Sequence, residues 1–216
     1  VYASAHLNGV GNTPYTALAA DQGFLSDRVF KATPTSGGVD QFWLGGGGWA
    51  SAHMSGLGST KYTAIAADLG FVSDHIYNAA RADGGIDQIW LGGGWGIAKV
   101  ASIGTTKYTA LAAEPNFVSD HIYWAARADG GLDQIYLAPG AWQSAHVTSV
   151  GNAVYTALAI DPTASDHQMF AARADGGIDA IWLGGGWNSA RVTSLGNTIY
   201  TSLAYDRSST NHQFFA

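Results

Sequence analysis

Residues 49–94 read WASAHMSGLGSTKYTAIAADLGFVSDHIYNAARADGGIDQIWLGGG, and the chain then begins a second, similar copy at Trp95. Further copies start at Trp142 and Trp187, and a first copy opens at Tyr2, where tyrosine stands for the tryptophan. Tyr-Thr pairs at Tyr15, Tyr62, Tyr108, Tyr155 and Tyr200 keep the beat, spaced 47, 46, 47 and 45 residues apart. A period of this length means an array of like supersecondary units, each unable to bury its apolar face alone. Residues 1–216 are therefore read as one domain, with repeats starting near 2, 49, 95, 142 and 187.

Within one repeat, four short runs favour strand, and each is ended by a breaker. Residues 61–68 (KYTAIAAD) are apolar through their middle, and residues 75–81 (HIYNAAR) alternate in character. Asp83-Gly84-Gly85 then supplies glycines for the positive φ of a tight hairpin. Residues 86–91 (IDQIWL) make the third run, a glycine triplet breaks it, and the fourth starts at Trp95 and reaches about residue 102. Runs such as TAIAA could be helical by composition, but they are short and bounded by turn residues on both sides. Four strands in about 46 residues, repeated radially, describe a blade of a β-propeller.

Five repeats predict an all-β, five-bladed propeller. Tyr2 to His6 aligns with Trp49 to His53, a fourth strand, and Asn211 to Ala216 aligns with Asp166 to Ala171, a second strand. The N-terminal strand is thus expected to close the last blade. No counterpart of ARADGGIDQIWLGGG follows Ala216. Three arrangements fit: a shortened view of a closed ring, an incomplete last blade, or a piece of a larger ring.

The net charge is −6, with 12% charged residues and no basic run, which argues against nucleic acid as a partner. No stretch approaches the roughly 18 apolar residues needed to span a bilayer, so membrane insertion is not expected. The absence of cysteine excludes disulfides, thiolate metal sites and a cysteine nucleophile. The chain opens at Val1 with no signal-like segment, pointing to a processed or trimmed N-terminus.

In an antiparallel meander, the loop between strands one and two shares an end with the loop between three and four. That end gathers the Asp-His pairs Asp74/His75, Asp120/His121 and Asp166/His167 with Trp49, Trp95, Trp142 and Trp187; His212 continues the histidine series. Indole faces stack on the C–H faces of sugars, and polar groups hold hydroxyls, so these are the candidate ligand-binding residues for a polyhydroxylated ligand. Bland roles compete. The tryptophans could wedge adjacent blades, and the aspartates could cap their loops. The histidines are replaced by Arg28 in the first copy, which leans towards an exposed polar role. Arg81, Arg127 and Arg173, at the other end, read as salt-bridge partners of a nearby aspartate.

Ala-Asp-Gly-Gly-Ile-Asp lacks the dense oxygen ligands of a calcium loop, and the histidines lie about 46 residues apart without close partners for zinc. No metal or cofactor is expected. Catalysis is disfavoured too. Glu114 is the only glutamate, and aspartates in near-identical copies cannot supply the two different environments that an acid/base pair needs.

On the blade period, the tryptophan after the glycine triplet and the DGGIDQIWL hairpin, the chain resembles tandem-repeat β-propeller lectins of the Photorhabdus, tachylectin-2 and tectonin types. The resemblance spans the whole chain. It implies a multivalent lectin or agglutinin binding mono- or oligosaccharides of glycoconjugates, with one shallow site per blade or blade junction. It further implies action outside the cell or at its surface, and is compatible with an oligomer. An interaction scaffold, natural or engineered, is the alternative; a propeller glycosidase is disfavoured by the symmetry.

Overall fold

In a computed structural model, residues 10–21, 28–68, 70, 75–115, 121–205 and 214–216 are described. Blade one is an antiparallel meander of β1 (Tyr15–Ala20), β2 (Phe30–Pro34), β3 (Asp40–Gly45) and β4 (Gly48–His53). Blade two repeats it with β5 (Tyr62–Ala67), β6 (Tyr77–Arg81), β7 (Ile86–Gly92) and β8 (Gly94–Lys99). Blade three has β9 (Tyr108–Ala113), β10 (Tyr123–Arg127), β11 (Leu132–Ala138) and β12 (Ala141–His146). Blade four has β13 (Tyr155–Ile160), β14 (Met169–Arg173), β15 (Ile178–Leu183) and β16 (Trp187–Arg191). A last pair, β17 (Ala204–Tyr205) and β18 (Phe214–Phe215), forms a separate two-stranded sheet.

The all-β propeller with four-stranded blades is therefore as expected, and of the five blades expected four are seen in full. Among the described residues there are four four-stranded blades and a two-stranded sheet. Within residues 1–216 the third-strand text occurs at β3, β7, β11 and β15, the four blades seen in full. The segment from Tyr2 to His6, expected to close the last blade, lies outside the described residues. No helix among the described residues is long and apolar enough to cross a membrane.

The alanine-rich runs of blades two to four are strands because each finds a sheet on both faces. One face of blade two carries Tyr62, Ile65, Tyr77 and Ile89, and it packs on Val39 and Leu57 of blade one. The same contact recurs one step on, where Tyr108, Leu111, Tyr123 and Ile135 meet Ile86 and Ile103. Leu57, Ile103 and Val150 come from short 3-10 turns (Ser55–Leu57, Ala101–Ile103 and Thr148–Val150) where the sequence predicted a longer fourth strand. The turns tip one apolar side chain per blade under the next sheet.

Two sets of hydrogen bonds fix the register between blades. The hydroxyl of Thr16 donates to the carbonyl of Tyr62 at 2.8 Å, and Thr63, Thr109 and Thr156 do the same to Tyr108, Tyr155 and Tyr200 at 2.5, 2.5 and 2.6 Å. The Tyr-Thr beat is thus a blade-to-blade staple. At the hairpins, the Gly85 N–H donates to the Thr106 carbonyl of the next blade, 2.8 Å away. Within each blade a third-strand aspartate is a hub, buried in blades two to four. Asp133 accepts from the Tyr108 hydroxyl at 2.8 Å, pairs with Arg127 at 3.3 Å and meets His146 Nδ1 at 2.9 Å. Arg81, Arg127 and Arg173 all make such salt bridges to aspartates of their own blade.

Gly85 sits at φ +84°, and a Cβ there would stand 2.5 Å from the Gly104 carbonyl oxygen. Gly85→Ala should therefore lower stability by about 1–3 kcal/mol from backbone strain, with the clash in addition. A chemical denaturation curve of the variant reads the loss directly.

Candidate functional site

Just before the second strand of each blade, the backbone enters the left-handed region at a residue other than glycine. His75, His121 and His167 have φ of 48°, 49° and 54°, and Arg28 has 48° in blade one. Such a conformation costs on the order of 1–3 kcal/mol, and it persists only where the surroundings enforce it. Here it turns each ring back onto the preceding blade. His75 Nδ1 lies 2.9 Å from Asp21 Oδ1, His121 Nδ1 lies 2.9 Å from Asp68 Oδ1, and His167 Nδ1 lies 3.8 Å from Glu114 Oε1. A carboxylate only accepts, so Nδ1 carries the proton in the close pairs.

The carboxylates are buried at the end of each innermost strand. They were legible as a series, since Asp21, Asp68, Glu114 and Asp161 each follow the staple tyrosine by six residues. What the sequence could not show is that the imidazole of one repeat reaches the acid of the repeat before it. The His75 and His121 side chains are about 10% exposed, more enclosed than the Arg28 substitution suggested. Asp166 is exposed beside His167, and its carbonyl accepts from the Leu183 N–H at 2.8 Å. Asp74, Asp120 and His212 lie outside the described residues.

The tryptophans stand at the start of the fourth strands, and Trp49, Trp95 and Trp142 lean on the second strand of their own blade. Trp49 meets Phe30 with ring centroids 5.8 Å apart, Trp95 meets Tyr77 at 6.4 Å, Trp142 meets Tyr123 at 5.8 Å and Trp187 meets Trp124 at 4.4 Å. Trp124 belongs to the preceding blade, so Trp187 also bridges blades. Trp142 is buried, while Trp49, Trp95 and Trp187 keep part of their surface open. His75 and Trp95 come together, with ring centroids 6.5 Å apart. The expected gathering of indole and imidazole at one end of the blade is present there.

One position of the second strand varies under this shared frame: Lys31, Asn78, Trp124 and Phe170 in blades one to four. Lys31 is fully buried. Its ammonium stands 3.5 Å from Asp21 and 4.4 Å from the centroid of the Trp95 ring, a cation–π contact. Burial pushes its pKa down to about 8, against the pull of Asp21 in the other direction.

Two apolar surfaces complete the picture. Leu18, Ile65, Leu111, Leu158 and Leu203, one from each repeat, line a central cavity of about 300 Å³. On blade one, Val10, Leu18, Phe30, Phe42 and Trp49 line a cleft of about 340 Å³. It occupies the face that a preceding blade covers in blades two to four.

No family model matches the chain, and no curated protein matches its sequence. Among solved structures it is similar to the BP39L lectin from Burkholderia pseudomallei, at 17% identity and a TM-score of 0.64, over 90% of this chain and 61% of that one. It is also similar to a chain of a nidogen/laminin complex, at 13% identity and 0.62, over 90% and 70%. The Aleuria aurantia lectin AAL, as an N224Q mutant in complex with Fucα1-6GlcNAc, matches at 13% and 0.58, over 86% and 65%. The chain spans about three-fifths of the length of the BP39L lectin chain. At these identities the likeness shows the fold.

Lys31 gives a pH signature. Unfolded, it titrates near the ordinary 10.5; folded, near 8. Between those values the unfolded chain binds more protons, so this group's contribution rises with pH across the window and is lost as pH falls through 8. Relative to Lys31→Met, which has no such group, the parent should gain about 3 kcal/mol from pH 7 to pH 10.5. Paired denaturation curves across that range check it.

Proposed function

We propose that the chain is a multivalent carbohydrate-binding protein, a lectin without catalytic activity, whose shallow sites lie at the Trp-His end of successive blade junctions. The observation that carries this reading is the recurrence, in register, of a tryptophan and an imidazole anchored by a buried carboxylate, seen most clearly at Asp21, His75 and Trp95. The partly open indole offers a C–H stacking face, and imidazole and loop backbone offer hydrogen bonds to hydroxyls. Duplicated weak sites gain avidity on a glycan-coated surface, which suits a protein acting outside the cell or on its surface. Two of the similar structures are lectins, and one of them holds a fucosylated disaccharide.

The same proposal includes a five-bladed ring. Its support is the cavity lined by all five innermost segments and the fourth staple, from Thr156 to Tyr200. In that ring Tyr2 to His6 completes the blade begun by β17 and β18. The second reading, a protein-interaction scaffold, is favoured by the likeness to a nidogen/laminin complex.

A glycan array and calorimetry separate the two. The parent should bind one class of glycan at several equivalent sites, and Trp95→Ala should reduce the site number by one while the remaining sites keep their affinity. Unchanged stoichiometry in the variant would move the site away from the tryptophans, and no glycan bound by the parent would leave the scaffold. Removal of residues 1–9 should lower the melting midpoint if they close the ring; an unchanged midpoint would count against closure.

A further inference from the structure

The near-identity of the junctions makes each one a control for the others, and junction two/three lacks something its neighbours have. At junction one/two, the Lys31 ammonium lies 3.5 Å from Asp21 and over the rings of Tyr77 and Trp95, at 5.4 and 4.4 Å from their centroids. At junction three/four, the Trp124 indole N–H points at Glu114, 3.4 Å away. At junction two/three the residue in register is Asn78, whose shorter side chain ends in an amide.

The consequence is a set of buried polar atoms with no hydrogen-bond partner. Both amide atoms of Asn78 and the hydroxyl of Tyr123 are unsatisfied, and the two residues are 2% and 1% exposed. They converge with Asp68, because the Tyr123 hydroxyl is flanked by the Asp68 carboxylate and the Asn78 amide. Burial, and then the charge of Asp68, push the Tyr123 pKa well up, so this hydroxyl stays neutral. The Trp142 ring stands beyond, 5.8 Å from the Tyr123 ring between centroids. Leaving such atoms bare costs about 1–3 kcal/mol each.

We propose that junction two/three binds a monovalent cation of ammonium or potassium size, held by Asp68, the Asn78 carbonyl oxygen and the Tyr123 hydroxyl oxygen, at the position that the Lys31 ammonium fills one blade earlier. Three oxygen donors of this kind suit a hard cation. The comparison with junction one/two points the same way. Asp68 is as buried as Asp21 and meets the next blade's imidazole at the same 2.9 Å, and at Asp21 the Lys31 ammonium stands beside that pair. The aromatic wall favours a weakly hydrated ion over sodium or lithium, since cation–π attraction operates on ions that shed water readily. A bound water could satisfy the same hydrogen bonds, so the experiment must separate the two. The inference is independent of the sugar-binding reading.

The thermal midpoint of the full chain is measured in chlorides of ammonium, potassium, sodium and N-methylglucamine at equal ionic strength. The midpoint should rise by a few degrees in ammonium or potassium over N-methylglucamine, growing with concentration as mass action requires. Asn78→Lys, which copies blade one, should abolish that dependence. Lys31→Asn, which copies blade two, should enlarge it by adding a second site. Crystals soaked in thallium(I), a potassium substitute, should show an anomalous peak among Asp68, Asn78 and Tyr123, a readout that needs no variant to fold. Equal midpoints in all four salts, an undiminished dependence in Asn78→Lys, or thallium-free density of a water at that position would each overturn the proposal.

Discussion

A sheet face made of tyrosine, leucine and alanine can leave water only by meeting another sheet, and among the described residues the sheets it meets are copies of itself. Everything else follows from that dependence. The alanines let adjacent blades approach closely, and the 3-10 turns send Leu57, Ile103 and Val150 across the gap. The threonine staples then turn the approach into a fixed register. Blade one makes the point by exception. Its β1 has the same text as β9, yet Leu18 is 60% exposed because no described sheet precedes it, while Leu111 in register is 9% exposed.

The parts of this design that repeat in one dimension were legible in the sequence. The period, the strand order within a blade and the need for glycine at the Asp-Gly-Gly hairpin all come from local text. The hairpin glycines prove doubly constrained, by positive φ and by the next blade's carbonyl. Less legible were features that exist only between copies. The sequence sets His75 beside Asp74, which lies outside the described residues, and gives no sign of the buried Asp21 of another blade, 2.9 Å from its Nδ1. The fifth repeat shows the same limit: a Tyr-Thr pair marks an innermost strand, and among the described residues only β17 and β18 accompany the last pair.

Variation within the repeat carries as much information as identity. Conserving the frame while changing Lys31, Asn78, Trp124 and Phe170 alters what each junction encloses without disturbing the strands around it. The backbone pairing at that position is the same in all four blades, since Lys31, Asn78, Trp124 and Phe170 sit opposite Ala19, Ala66, Ala112 and Ala159. The facing alanine leaves space that a lysine, an indole or an ion can each fill. A repeat protein can therefore diversify its junctions one at a time.

The two ends of the blades are built to different standards of satisfaction. At the hairpin end, Asp40, Asp87, Asp133 and Asp179 each accept a tyrosine hydroxyl, and the last three also engage an arginine, so little is left unpaired. At the opposite end, non-glycine residues are held at positive φ, and the hydroxyls of Tyr77 and Tyr123 lack a hydrogen bond. Consistency across levels specifies a fold, and local violations gather where a protein does something other than fold. The well-satisfied end holds the blades in register; at the strained end, where the indoles also stand, buried hydroxyls are left for a further group to complete.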